Sequence, residues 1–410
     1  PPYGEGTYCF ETEAVDNVSN QETRAGGNGD GCTVYDIVDP VSAAFAPQYV
    51  ITGTIPVTWT AGDVTSGIAR TCLWYKLGSE GVWTNSGLCE AGTSGMFLFG
   101  PPGGINGIYY FQTVAEDNAG NVEAGPSGNG DASTTYDTVA PISVGESLPY
   151  DNQSPIPVDW TASDATSGVA RTCLWYKFGS EGVWTNSGMC QAGELGTFNF
   201  NPPAGANGTY YFQTVAEDNA GNVEVGPSGN GDDYTVYDTL DPVITHSAIM
   251  EQSLYLHSQG TALYYGNNMP IDQVFRLVGQ AEDVTSGLGL ATFAAAFGWG
   301  PYTDDTPTDW ESGPYLVNAN HSGNGVITVT VMDKAGNSTN ELFTYIEDTT
   351  VPVSASEPPP YDNEGDIALV FNAADADSGL RFTYLWFNYN GGGWLNSGLV
   401  QTGTMGSFVF

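Results

Sequence analysis

Aspartates recur along this 410-residue chain in three short phrases whose other members are turn formers. Asp63 opens Asp63-Val-Thr-Ser-Gly67, Asp117 opens Asp117-Asn-Ala-Gly-Asn121, and Asp36 stands in Tyr35-Asp-Ile-Val-Asp-Pro40. The phrases return at a displacement of 101 residues around Asp164, Asp218 and Asp137. Further copies hold Asp238, Asp283 and Asp333, then Asp348 and Asp375, with Asp16 in a looser copy near the start. Carboxylates grouped with backbone carbonyls suit a hard cation, and calcium, with roughly six to eight oxygen ligands, tolerates irregular loops better than magnesium does. The same residue types also close tight turns by bonding their own backbone, with no metal at all.

Cysteine is the second chemistry-bearing residue, and it varies in pairs. Cys72 and Cys89 recur as Cys173 and Cys190, while the last copy replaces both together, with Tyr384 and Val400. Cys9 and Cys32 correspond to Tyr110 and Ser133, or to Tyr211 and Tyr234, where neither member is cysteine. Paired gain and paired loss predict three disulfides, Cys9–Cys32, Cys72–Cys89 and Cys173–Cys190, each contributing roughly 3 kcal/mol by restricting the unfolded chain. They imply an oxidising setting, extracellular or at a cell surface. Catalysis is not expected. His246, His257 and His321 all fall in one stretch, and no Ser/His/Asp or Cys/His arrangement repeats. Trp74, Trp83, Trp175, Trp184, Trp386 and Trp394 hold matched positions; exposed, they would stack on sugar rings, whereas their strand-like spacing reads as core. Sequons at Asn17, Asn152, Asn207, Asn320 and Asn337 permit glycosylation of a secreted chain.

Eight Lys plus Arg against 47 Asp plus Glu give a net charge of −39. Nucleic acid and anionic membrane surfaces are excluded as partners, because both require clustered basic residues. A chain that is 40% hydrophobic and 12% aromatic is not a solvated acidic tail. No apolar run is long enough to cross a bilayer, so no membrane insertion is expected in this segment. Divalent cations would hold so many like charges together.

The elements that must position these residues are short strands. Ile55–Ala61 alternates apolar and polar residues, and Thr71–Tyr75, Met96–Phe99 and Tyr109–Ala115 follow, separated by Gly, Pro, Asn and Ser clusters. That pattern predicts antiparallel β-sandwiches of about 100 residues each. Proline closes every linker and stiffens it. The Asp-x-x-Ser-Gly, Asp-Asn-Ala-Gly-Asn and Tyr-Asp-Thr-x-x-Pro phrases resemble the tandem immunoglobulin-like repeats of bacterial and archaeal surface proteins, adhesins and stalks. In such a sandwich the loop after the second strand and the loop before the last strand lie at one end, beside the preceding linker. The resemblance therefore implies four groups: Asp36, Asp63 and Asp117; Asp137, Asp164 and Asp218; Asp238, Asp283 and Asp333; and Asp348, Asp375 and Asp16. Each would hold calcium.

The fold expected is all-β, with immunoglobulin-like domains at 41–141 and 142–242 and a divergent one at 243–352 that lacks cysteine and has a longer first half. Segment 353–410 reads as the first half of another domain, and 1–40, with strands Thr7–Ala14 and Cys32–Tyr35, as the second half. Gly406–Phe410 matches Gly196–Phe200, whose continuation resembles Pro1–Phe10, so residue 410 runs almost in register into residue 1. The expected partner is a copy of the same chain, head to tail, or a continuous longer chain. The function expected is a structural repeat unit of an extracellular filament, stalk or adhesin, with glycans or other cell-surface ligands as further partners. The alternative is an array of carbohydrate-binding immunoglobulin-like modules.

Overall fold

A computed structural model describes residues 1–410 except Ala25, Asn267, Asn268 and Glu364. Strand β1 (Gly6–Phe10) pairs with β2 (Gly31–Tyr35) as an antiparallel ribbon. The first full repeat then lays down β3 (Val41–Phe45), β4 (Tyr49–Val50), β5 (Ile55–Gly62), β6 (Ile68–Leu77), β7 (Thr84–Glu90), β8 (Ser94–Phe99), β9 (Gly107–Asp117) and β10 (Ala132–Tyr136). They form a three-stranded sheet, β3-β5-β8, and a five-stranded sheet, β4-β10-β9-β6-β7, in which β4 alone runs parallel to its neighbour. This is the strand order of an immunoglobulin-like sandwich. Period-two alternation produces it: in β5, Ile55, Val57 and Trp59 point inward while Thr58 and Thr60 face water. Trp59 stacks on Phe97 at 5.6 Å, and Leu73, Phe99, Tyr109 and Phe111 complete the core. Each such side chain contributes about 1.5–3 kcal/mol by burial.

Segment 142–242 repeats both sheets, Ile142–Ser147, Ile156–Ser163 and Leu195–Phe200 in one, and Tyr150–Asp151, Asp233–Tyr237, Gly208–Asp218, Val169–Phe178 and Thr185–Gln191 in the other. In the divergent segment the two-residue edge strand becomes a hairpin, Leu256–Gln259 with Ala262–Gly266, which joins a six-stranded sheet. That hairpin is the longer first half read from the sequence. Segment 353–410 forms a three-stranded sheet from Val353–Glu357, Ala368–Ala374 and Met405–Val409, and a two-stranded one from Thr383–Phe387 and Leu395–Gln401. By contacts the chain divides into two compact units, Pro1–Leu148 with Pro157–Phe200 and Tyr210–Tyr234, and Pro149–Ile156 with Asn201–Thr209 and Thr235–Phe410.

Where the two sheets of the first sandwich meet at β3, carboxylates take the place of a ladder. Glu123 accepts the Ser42 amide at 2.9 Å and the Ala115 amide at 3.0 Å, and Asp131 accepts those of Ala44 at 3.0 Å and Thr113 at 3.1 Å. Glu224 and Asp232 make the same bonds to Ser143, Ala216, Gly145 and Thr214 in the next repeat. Edge amides that would otherwise lack partners are thereby satisfied.

Two expectations are corrected. The late strand read as Thr7–Ala14 ends at Phe10. In the full repeats the corresponding strand continues for 11 residues because β6 pairs with its second half. None of the six matched tryptophans read as core is buried: Trp386 and Trp394 are exposed, Trp74 and Trp175 are half-buried, and Trp83 and Trp184 are half-buried lids over buried lysines. Lys76 donates to the carbonyls of Ser79 at 2.6 Å and Gly128 at 2.8 Å and lies 5.3 Å from the Trp83 ring and 5.2 Å from Tyr110. Lys177 repeats this with Ser180, Gly229, Trp184 and Tyr211.

Replacing Lys76 with alanine leaves two inward carbonyls unpaired and a hole beneath Trp83, so stability should fall by roughly 2–4 kcal/mol. Arg70, whose side chain is 59% exposed in its ion pair with Glu116, should cost less than about 1 kcal/mol on the same replacement. Urea unfolding of the two variants side by side checks the contrast.

Candidate functional site

The loop leaving β5, the turn leaving β9 and the linker before β3 converge at one end of the first sandwich. Asp63 starts the β5–β6 loop and accepts the amides of Thr65, Ser66 and Gly67 at 3.1, 2.7 and 2.8 Å, all on one oxygen. Gly67 takes the left-handed backbone the loop needs, with φ +75°. Asp117 ends β9 and accepts from Ala119, Gly120 and Asn121 at 2.8, 2.7 and 2.9 Å. Asp36 reaches across from the linker to the Ser66 amide at 3.0 Å, and the Asn121 side chain donates to both the Asp36 carbonyl and Asp117. Ligand-type oxygens of Asp36, Asp63 and Asp117 all lie within 4.8 Å of one another.

The same assembly recurs at the next two linkers. Asp137, Asp164 and Asp218 gather within the same distance, as do Asp238, Asp283 and Asp333. Asn222 and Asn337 donate to the linker carbonyls of Asp137 and Asp238 at 3.0 and 2.9 Å. In each group the linker aspartate and the one closing the late strand are buried, with Asp137 and Asp238 wholly inaccessible. Among the described residues the ion pairs are Arg24–Glu13, Arg70–Glu116, Arg171–Glu217 and Arg276–Glu311, none on a carboxylate of these groups. The fourth set is not among the gathered groups. Asp348 accepts the Ser378 amide and Asp375 those of Asp377 and Gly379, while Asp16 holds Val18 and Asn20 in its own turn within the other unit.

Oxygens around one calcium sit about 2.3–2.6 Å from the ion, so any two lie within about 5 Å of each other. The separations in the three groups meet that limit, and the donors are hard oxygens. Each Asp also serves as the acceptor of its own turn, as the metal-free reading of these phrases requires. Asp63 spends one oxygen on three amides and keeps the other, whereas Asp36 and Asp117 accept hydrogen bonds on both of theirs and would offer a cation only remaining lone pairs.

Burial pulls the Asp63 carboxyl upward, and the charge of Asp117 adds to that, but the amides of Gly67, Ser66 and Thr65 outweigh both and hold it below the ordinary carboxylate range. Asp117 is likewise raised by burial and lowered further by its bonds to Asn121, Ala119 and Gly120. Asp16 is lowered chiefly by the Asn20 amide.

The cysteines are bonded as the pairing predicts, Cys9–Cys32, Cys72–Cys89 and Cys173–Cys190, with none free. Each bridges directly opposed residues of neighbouring strands. Among the sequons, Asn17 and Asn320 are exposed, Asn207 accepts from Thr239, and Asn152 donates to Asn337. The Asn337 amide is committed to Asp238 and Asp333 and cannot also receive a glycan. Sequence reasoning missed the buried lysines, although Lys76 and Lys177 stood in identical surroundings.

The strand order and the recurring end groups define a tandem array of immunoglobulin-like sandwiches. No protein-family model and no curated protein sequence matches the chain. Among solved structures it is similar to a tetra-tandem repeat in the extending region of a large adhesion protein, at 15% identity over 90% of each chain with a TM-score of 0.33. It is also similar to a Ca²⁺-stabilized adhesin that helps an Antarctic bacterium reach out and bind ice, at 13% identity over 90% of this chain and 98% of that one, TM-score 0.31. Fibronectin(III)-like modules from Clostridium thermocellum match half of the chain, at 13% identity and a TM-score of 0.28.

Because the folded-state pKa values of Asp63 and Asp117 are depressed, their stabilising contribution is fully present above the unfolded-state value, about 3.9, and is lost as pH falls through the lower folded-state value. Thermal unfolding of the metal-free chain should therefore hold steady down to about pH 4 and weaken below it. Asp63→Asn should flatten that acid limb.

Proposed function

We propose that this chain is a structural repeat unit of an extracellular filament, stalk or adhesin whose linkers are stiffened by calcium. The observation that carries the reading is the threefold recurrence of buried linker carboxylates with no cationic side chain paired to them. Charge taken out of water needs a counter-charge. A divalent cation bound at each linker would supply it, and would fasten the linker aspartate to two loops of the following sandwich. At a hundredfold excess over its Kd, one ion stabilises the folded state by about 2.7 kcal/mol. Sugar binding has less behind it in the full repeats, where Trp83 and Trp184 lie over lysines instead of facing solvent as platforms; the exposed Trp386 and Trp394 belong to segment 353–410 alone.

The ends favour a finer reading. The ribbon β1–β2 carries Phe10, Thr12 and Asp30 in exposed positions where the first full repeat buries or staples Phe111, Thr113 and Asp131. Glu22 and Asp30 hold only the near halves of their staples, the amides of Ala14 and Thr12. The far halves, which in the full repeat are Ser42 and Ala44, correspond to the exposed Ser354 and Ser356 of segment 353–410. In 353–410, Tyr384 and Trp386 are exposed on a strand whose counterpart β6 is covered by β9. Joining the ribbon to that strand would build a sandwich head to tail, between copies or within a continuous longer chain.

Calcium addition to the chelated protein should raise the melting temperature, and Asp137→Asn with Asp164→Asn should remove about a third of the heat of binding in calorimetry. No response to calcium would leave the aspartates as turn residues.

The joined-ends reading predicts self-association of the isolated chain at micromolar concentration in sedimentation, lost when residues 1–35 are deleted. A chain that stays monomeric at high concentration with both ends intact would rule out joining between copies.

A further inference from the structure

Two linkers that share the same aspartate group differ in what else crosses them. At the turn leaving the late strand, Asn118, Asn219 and Lys334 occupy one structural position, since their amides donate to the carbonyls of Gly67, Gly168 and Gly287 respectively at 3.0, 2.9 and 2.9 Å. The two asparagine side chains bond inside their own loop, to the carbonyls of Ser66 and Ser167, each at 2.8 Å. Lys334 reaches further. Its ammonium lies beside Gly287, where a Cβ would stand 3.5 Å away, and over the ring of Tyr150, 5.7 Å from its centroid. Tyr150 belongs to the edge strand of the preceding repeat. Two residues on, Asn152 donates to the Asn337 side chain at 3.2 Å. Asn337 in turn holds the linker carbonyl of Asp238. The preceding repeat is thus bonded by side chains to the very turn that grips the linker.

At the linker before it, the matching residues cannot do this. Tyr49 is retained, but the residue matching Lys334 is Asn219, which carries no charge. The residue matching Asn152 is Ile51, which has no hydrogen-bonding group. Asn222 holds Asp137 and Asp218 through its amide as Asn337 holds Asp238 and Asp333, so what the first linker lacks is the donor at position 51.

We infer that the linker at 238–242 is locked by side chains, and that the linker at 137–141 is the hinge whose stiffness depends on a bound cation. The second half of this rests on the calcium reading, and the first half does not. A cation–π contact and a side-chain hydrogen bond, both partly exposed, each favour the docked arrangement by roughly two- to fivefold, so together the bias is on the order of tenfold. The device lets one chain contain a joint held by its own side chains and a switchable one.

The test uses the full chain with dye pairs installed by unnatural amino acids, which leaves the three disulfides intact. Exposed Val82 and Val183 flank the first linker, and Val183 and Ile271 flank the second. In chelator, the distance distribution across the first linker should broaden while that across the second keeps its calcium-loaded width. The double variant Lys334→Asn with Asn152→Ile, which copies the first linker into the second, should make the second broaden on chelation as well. Equal broadening of both wild-type linkers in chelator, or a second linker unchanged by the double variant, overturns the lock. A first linker that ignores chelator overturns the calcium reading instead. In that case the lock is upheld if the double variant broadens the second linker in either buffer, and overturned if it does not.

Discussion

The carboxylate that accepts a backbone amide is the interaction on which this structure depends. A sandwich built from two small sheets leaves amides without ladder partners along its open edges and in its end loops. Here aspartate and glutamate fill those vacancies. Glu123 and Asp131 tie β3 to β9, while Asp63 and Asp117 each gather three amides of a tight turn. An acceptor that is ionised makes a shorter, stronger bond than a neutral one. With 47 acidic residues against eight basic ones, many of the acids find their partners in backbone amides, and only four arginine ion pairs are seen among the described residues.

The arrangement also gives the array a direction. Asp36 bonds Ser66 through its side chain and Asn121 through its carbonyl, and both partners lie in the sandwich that follows. Asp137 repeats this with Ser167 and Asn222, and Asp238 with Ser286 and Asn337. Every linker is therefore gripped by the repeat after it, while the repeat before holds the linker's first residues, Thr138 and Thr239 donating to Asn106 and Asn207. Motion between neighbours must arise between those two sets of bonds, beyond the end of β10 and its equivalents. Whether a joint is stiff then depends on what the preceding repeat offers to that end, which is why Tyr150 and Asn152 matter more than the conserved-looking aspartate phrases beside them.

Much of this was legible in the sequence, for physical reasons. Strands such as β5 and β9 declare themselves because one face must be apolar, and the cysteine pairs because loss of one bonded partner makes the other useless. The aspartate groups needed both the repeat and the geometry of a sandwich. Strand β7 was not legible: Thr84–Glu90 is polar, contains Gly87, and lies at an edge where no face is fully buried. The staples were not legible either, since Glu123 meets a backbone amide 81 residues away, and any residue has an amide. The same holds for Lys76, whose partners are carbonyls and ring faces, neither of which leaves a sequence pattern. Lysine in a strand ordinarily reads as a solvated side chain.

Strand length shows most clearly how far local sequence reaches. Gly107–Asp117 and Gly208–Asp218 extend for 11 residues each, whereas the closely similar run beginning at Gly6 extends for five. Both versions carry Tyr, Phe, Thr and Ala at matching places, so propensity is nearly the same. The partners differ. Strand β10 pairs only with the first five residues of β9, and β2 pairs with the same five positions of β1. The remaining length of β9 is held by β6. A run of β-formers is thus extended only as far as a neighbour accepts its hydrogen bonds, because an unpaired strand gains no ladder to offset its lost backbone entropy. It follows that residues 11–16 are poised to extend β1 wherever a strand equivalent to β6 is supplied.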